Sequence, residues 1–368
     1  MYDLVALVAL LAGMPAIDAF AKLSRAFRLY GRSLPGTVVN VAGGVVAFGL
    51  MLLITGVWLT SAVIVLTAAI ALSSISNIKR NILGEPLVFT DFALLVAVFE
   101  QSQFYFSALK RWQLWALALV ATALCLGLAA FASAELRPRA IGIGIILAGV
   151  LLLRTRLALP TWSRVAMAPD LERDVLVHGL SATLLVYWFL WLRLPRPMPA
   201  ALPAFACEQG QIVIVVQCES FSDPEDLFGP QDHPLAGLET ARSLAWRSRR
   251  LMVPGFGAYT MRTEFGVLFG IGEPALGLRR FDPYLKARDV AGHALANRMA
   301  EVQGRRLFVH PHDLRFYGRD KLMPAAGFDS LIGERAFAPP DPATDRYVGD
   351  LAVCDKLLEL ARSDDPVV

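Results

Sequence analysis

The chain has 368 residues, room for two or three domains, and 55% of them are hydrophobic against 18% charged, a balance far from that of an ordinary soluble protein. A net charge of +3 is too small to argue for a nucleic-acid partner. Four cysteines make neither a disulfide framework nor a thiolate metal cluster.

In chain order, residues 1–195 read as a transmembrane domain. Apolar runs occupy residues 4–21, 38–57, 59–76, 114–133, 140–159 and 175–194, each close to the ~20 residues that cross a bilayer. No basic residue precedes the first run, so it does not read as a secretory signal. The second and third runs nearly abut and should form a hairpin. The sixth carries His178 and ends in Tyr187, Trp188 and Trp191, aromatics suited to a membrane-interface belt. The expectation is five or six helices.

Charge sets the orientation. Lys22, Arg25, Arg28 and Arg32 follow the first run, Lys79, Arg80, Lys110 and Arg111 flank the third and fourth, and Arg154, Arg156 and Arg164 cluster along and after the fifth. Those loops should be cytoplasmic. With the N-terminus outside, six crossings put everything after residue 195 outside, whereas five would leave it in the cytoplasm. The reading is a multi-pass protein of the cytoplasmic (inner) membrane with an extracytoplasmic soluble part. Between the third and fourth runs lie Lys79, Gly84-Glu-Pro-Leu87 and Asp91; Gly84 and Pro86 should end any helix there.

Residues 196–210, with Pro197, Pro199 and Pro203, form a stiff tether. From 211 onward strands alternate with helices. Strands are expected at 212–216 and 306–310, and helices at 235–247, 260–269, 287–302 and 345–361. Such alternation argues for a parallel α/β sheet.

Three stretches of this soluble part carry chemistry. In Gly255-Phe-Gly-Ala-Tyr-Thr-Met-Arg-Thr-Glu-Phe265, Thr260 follows a Gly-x-Gly turn and opens a helix. A hydroxyl there meets free backbone N–H groups and the positive end of the helix dipole, which suit an alkoxide or the phosphate it attacks; the plainer reading is an N-cap. In Gln211-Ile-Val-Ile-Val-Val-Gln-Cys-Glu-Ser220 a short apolar run ends in an acid. It reads as a buried parallel strand with Glu219 at its C-terminal tip, where ligands of open α/β sheets bind. The third stretch, His310-Pro-His-Asp-Leu-Arg-Phe-Tyr-Gly-Arg-Asp320, follows another predicted strand and crowds two His, two Arg and two aromatics into one loop. It reads as a headgroup-binding loop, a solvated loop or, on its two His alone, a zinc site. Arg262, early in the Thr260 helix, reads as a phosphate contact or an exposed surface charge.

Together these residues resemble the membrane branch of the alkaline phosphatase/sulfatase superfamily, the lipoteichoic acid synthase and phosphoglycerol transferase family. That family ends its first strand in Glu-Ser, here Glu219-Ser220, and has a Thr shortly before Glu-Phe, here Thr260 before Glu264-Phe265. It also commonly carries the Lys, Gly-Glu-Pro-Leu and Asp pattern after a membrane helix. The resemblance implies a sulfatase-like α/β domain over residues 211–368. It implies that Thr260 is the nucleophile, and that Glu219 and Thr260 bind one divalent metal, manganese or magnesium. It also implies a loop running from His310 through Phe316 and Tyr317 to Arg319 that contacts the headgroup. The partners would be a phospholipid donor and a glycan or envelope-polymer acceptor. The reaction would move a phosphoglycerol-type group through a phospho-threonine intermediate.

The chain departs from that pattern in two places. The family usually has five crossings, and it completes its metal site with an Asp-His pair after the nucleophile. Here the Asp-His pair, Asp232-His233, precedes Thr260. The expectation is that the catalytic domain is incomplete at its C-terminus and that these 368 residues alone are inactive. Two alternatives stay open. One is a non-catalytic membrane scaffold or polysaccharide-export partner on a degenerate sulfatase-like fold. The other is a phosphoethanolamine transferase or a sulfatase, although sulfatases need Cys or Ser where this chain has Thr260.

Overall fold

The computed structural model describes residues 2–21, 31–93, 131–197, 212–218, 221–229, 235–249, 251–254, 259–299, 304–339 and 347–362. The chain divides into two compact units, Met1–Pro195 and Arg196–Val368. The described residues are mostly helical.

The first unit is a helix bundle. Among the described residues, three of its helices are long and apolar enough to cross a membrane: α2 (Leu34–Thr55), α3 (Trp58–Leu83) and α4 (Leu136–Leu157). They cover the second, third and fifth apolar runs. The first run forms α1 (Tyr2–Asp18), and the sixth is divided by Gly179 into α5 (Leu171–His178) and α6 (Leu180–Trp191). At 12 residues, α6 is about 18 Å long, short of a ~30 Å hydrocarbon core. The run at 114–133 lies outside the described residues, apart from its last three.

Local chemistry sets the helix ends. Ser33 caps α2 by accepting a hydrogen bond from the Gly36 N–H at 3.2 Å, and Pro35 sits in the first turn. Gly84 ends α3 in the left-handed conformation at φ 76°. Beyond it, the Lys-Gly-Glu-Pro-Leu-Asp pattern closes into one knot. The Lys79 ammonium reaches Glu85 at 3.2 Å, the Pro86 carbonyl at 3.2 Å and Asp91 at 2.7 Å.

Packing gives each helix a direction. Ala6, Leu10 and Met14, four residues apart on α1, pack with Phe48 and Leu52 of α2 and Val65 of α3. The α2–α4 pair meets through glycine: a Cβ on Gly142 would lie 2.9 Å from the Gly49 carbonyl oxygen, so a larger residue would push the helices apart. Contacts of Gly49 with Gly142 and of Val46 with Gly149 make these two helices antiparallel. Gly36 beside His178 and Gly43 beside Leu185 make α2 and α6 parallel. Arg32, Lys79, Arg80, Arg154, Arg156 and Arg164 therefore gather where α1, α3 and α4 end and α2 and α6 begin. The expected aromatic belt is corrected in part. Tyr187 is buried, donating to Asp174 at 2.7 Å, and only Trp188 of the three is largely exposed.

In the second unit the expected sheet is represented, among the described residues, by two parallel strands. These are β1 (Leu307–Val309) and β2 (Ser330–Ile332), paired Leu307 to Ser330, Phe308 to Leu331 and Val309 to Ile332. The expected strand at 212–216 is not in a ladder, and its side chains are exposed. Strand preference reflects fit to a pleated surface with neighbours, and no described strand borders Ile212–Val216. The helix expected at 260–269 forms as α8 (Thr260–Phe269), ended by left-handed Gly270. That expected at 235–247 shortens to α7 (Ala236–Leu244). In place of the helix at 287–302 there is a 3-10 segment, Pro283–His293, kinked at Lys286, and a single turn, Leu295–Arg298. Asp282 sets this early start by accepting the Tyr284 N–H, and Gly292 weakens helical continuation. The last helix, α10 (Asp350–Ala361), begins five residues later than expected.

The core lies between α8, the 3-10 segment and α9 (Arg319–Ala325). Met261, Phe265 and Phe269 form one stripe of α8, and Phe265 stacks on Phe269 at 4.4 Å. Burying each such side chain is worth about 1.5–3 kcal/mol.

Candidate functional site

Thr260 is the first residue of α8, and the N-cap position belongs to Tyr259. The N-cap reading of Thr260 is therefore corrected by one residue. Thr260 is half-buried, and its carbonyl accepts from the Gln217 side chain at 3.3 Å. The 212–218 segment thus meets the start of the Thr260 helix. Glu219 lies outside the described residues, so its place relative to Thr260 does too.

The loop after β1 leaves from a strand tip, as the alternation of elements led one to expect. His310 continues the ladder by donating its N–H to Ile332 at 2.9 Å. Its ring is half-buried, and its Nδ1 is enclosed without a hydrogen-bond partner. Burial pushes its pKa down to about 4, helped by the nearby Arg319 charge and opposed by Glu264. The imidazole is therefore neutral near pH 7. His312 lies 6.3 Å away, ring to ring, and accepts the Asp313 N–H on Nδ1.

Phe316 and Tyr317 pack ring to ring at 4.3 Å, and Tyr317 lies 5.6 Å from Tyr284. Tyr317 is the one non-glycine residue with positive φ among the described residues, at 58°, a conformation that costs an ordinary side chain about 1–2 kcal/mol. Gly318 follows at φ 64°. Two successive left-handed residues turn the chain sharply and deliver Arg319 to the start of α9.

Arg319 is 2% exposed. Its guanidinium grips Glu264 with both prongs, Nε to Oε1 at 3.0 Å and Nη2 to Oε2 at 2.5 Å, while Nη1 donates to the Phe316 carbonyl at 3.3 Å. The Tyr284 hydroxyl donates to the same Glu264 carboxylate at 2.5 Å. Burial and the Glu264 charge hold the Tyr284 pKa well above the usual phenol range. Arg262 is also buried, which corrects the exposed-charge reading. It stacks over the Tyr259 ring at 3.8 Å and donates to the Phe281 carbonyl. Among the described residues no three His, Cys, Asp or Glu side chains group as a metal site.

In the sequence Glu264 stands out only as half of the Glu264-Phe265 pair, and nothing local singles out Tyr284. Glu264 stands four residues after Thr260, hence on the same helix face. An acid at that spacing inside an otherwise apolar stripe was the available signal.

A curated protein of Rhizobium meliloti (strain 1021), "Capsular polysaccharide biosynthesis protein RkpI", is 26% identical over 310 residues, covering 78% of this chain and 57% of its own length. The chain thus spans a little over half of that relative. No family model and no solved structure matches.

Proposed function

We propose that this protein is a membrane-bound transferase of cell-envelope polysaccharide biosynthesis. It moves a phosphoglycerol-type headgroup from a phospholipid to a glycan or envelope polymer. The observation that carries this reading is the Glu264–Arg319 bridge, which joins stretches 55 residues apart. One holds the candidate nucleophile and the other the candidate headgroup loop. The name of the Rhizobium relative supports the biological setting, and the three long apolar helices support the membrane one.

In this reading the Thr260 Oγ attacks the phosphorus of the phospholipid and displaces diacylglycerol, which leaves with the proton. The acceptor hydroxyl then attacks the phospho-threonine and regenerates Thr260. His310, Phe316 and Tyr317 line the headgroup side, with Arg319 at the end of the loop and Arg262 one turn into α8. Glu219 and Thr260 would contribute two ligands to a manganese or magnesium ion, which would lower the hydroxyl pKa and offset phosphate charge. The basic ends of α1, α3 and α4 face the cytoplasm and the catalytic unit faces outward.

Incubating the purified protein with fluorescent phosphatidylglycerol and manganese should release diacylglycerol, and Thr260→Ala should lower that by several orders of magnitude. Undiminished release by a folded Thr260→Ala protein would overturn the reading.

A further inference from the structure

We propose that Glu264 is a positioning residue whose carboxylate, through Arg319 and Tyr284, locks the loop at 310–318 in register with the N-terminus of α8. The proposal rests on the reading of Thr260 as nucleophile and of that loop as the headgroup contact. It adds a residue to which that reading assigned nothing.

Three independent features point the same way. The first is the ligand set of Glu264: both Arg319 prongs and the Tyr284 hydroxyl converge on one buried carboxylate. A two-pronged charged pair fixes distance and angle together, which a single contact does not. The second is location. Glu264 lies one helical turn from Thr260, and Arg319 is the residue on which the loop ends and α9 begins. The bridge therefore sets the offset between nucleophile and headgroup loop. The third is the left-handed backbone of Tyr317, a strained conformation that persists only where surroundings over-determine it. Its ring sits on Tyr284, and the Arg319 guanidinium lies 5.1 Å over it. Arg319 is too enclosed to meet a substrate as it stands, so it too acts through position. His310 feels both charges of the pair, which ties its protonation to the same bridge.

The functional consequence is a requirement on geometry. In-line attack needs the reacting atoms within about 3–3.5 Å, and misplacement by about 1 Å can cost 100-fold. Loosening the bridge should lower kcat while leaving KM nearly unchanged, because the loop keeps its aromatic and His contacts.

The test uses Glu264→Gln, which keeps the size but removes the charge and replaces one acceptor oxygen with an NH2 donor, and the milder Tyr284→Phe. Hydrogen exchange is measured on the purified protein in detergent, alongside diacylglycerol release. In Glu264→Gln, amides at 313–320 and at 259–265 should both exchange faster while those of β1 and β2 do not, and kcat should fall about 100-fold with KM within about threefold. Tyr284→Phe should do the same more weakly, about 3- to 10-fold in kcat. If Glu264→Gln unfolds the unit, the Tyr284→Phe result decides. Unchanged exchange at 313–320 in a folded variant overturns the proposal, as does a wild-type kcat. If the wild-type protein releases no diacylglycerol but the coupled exchange change is present, the transfer reading fails and the positioning role stands.

Discussion

Among the described residues, each unit holds an enclosed arginine–carboxylate pair, Arg32–Asp18 in one and Arg319–Glu264 in the other, and their surroundings separate a structural clamp from a site element. In the membrane unit, Arg32 pairs with Asp18 at 3.2 Å. It also donates to the Val175 and Leu176 carbonyls at 2.6 Å and to the Asp18 carbonyl at 2.9 Å. Those carbonyls lie at the ends of α5 and α1, where a cation is favoured. Asp18 in turn accepts the Ser181 N–H at the start of α6. Every partner is a helix end, so this pair holds helices together. The Glu264–Arg319 pair instead joins side chain to side chain, between two stretches that carry the candidate chemistry. Burial alone says little about role; what the pair connects says more.

The sharpest way to break the comparison is Arg32→Ala. It leaves a buried carboxylate and three carbonyls without their donor, a loss of about 3–5 kcal/mol. Thermal unfolding in detergent should show it as a large drop in midpoint, with turnover per folded molecule unchanged. A fall in kcat beyond the loss of folded protein would mean that the two pairs are not different in kind. Next in size is Gly179→Ala. Gly179 has φ 91°, and a Cβ there would meet Asp18 Oδ2 at 2.1 Å. The left-handed backbone alone costs about 1–2 kcal/mol, and the clash adds to it. The same unfolding assay reads this variant, and a midpoint equal to wild type would show that Asp18 can move aside.

Acid should sharpen the comparison from the other unit. His310 takes its proton at pH about 4 when folded, against 6.5 unfolded. Between those values the unfolded state binds more protons, so its contribution to stability is intact above pH 6.5 and declines as pH falls toward 4. Discounted for its partial exposure, the loss is about 1 kcal/mol by pH 5. His310→Asn should remove that slope, which unfolding curves at pH 7 and pH 5 would reveal. The smallest effect belongs to Arg306 and Asp329, a more exposed pair at 2.8 Å; Asp329→Asn should cost under about 1 kcal/mol.

Much of this was legible in sequence because the signals were local. Gly84 and Pro86 ended α3, and Thr260 after its Gly-x-Gly turn opened α8. The Lys79 pattern was visible, although its closure into a single knot required the fold. What sequence missed was non-local. Strand character at Ile212–Val216 depends on neighbours that no window of residues contains. The segment at 287–302 reads as an amphipathic helix, yet Asp282 starts a 3-10 turn before it and Gly292 divides it. Glu264 stands out locally only as an acid on the Thr260 face of α8, and the partner that gives it a role lies 55 residues away.

The central claim is that Thr260 carries the transferred group. The direct measurement is mass spectrometry of the tryptic peptide spanning residues 251–262 after the protein meets phosphatidylglycerol and manganese without acceptor. A phosphoglycerol adduct on Thr260, absent from Thr260→Ala, is the predicted result. Diacylglycerol release with no adduct on that peptide, undiminished in Thr260→Ala, would contradict it.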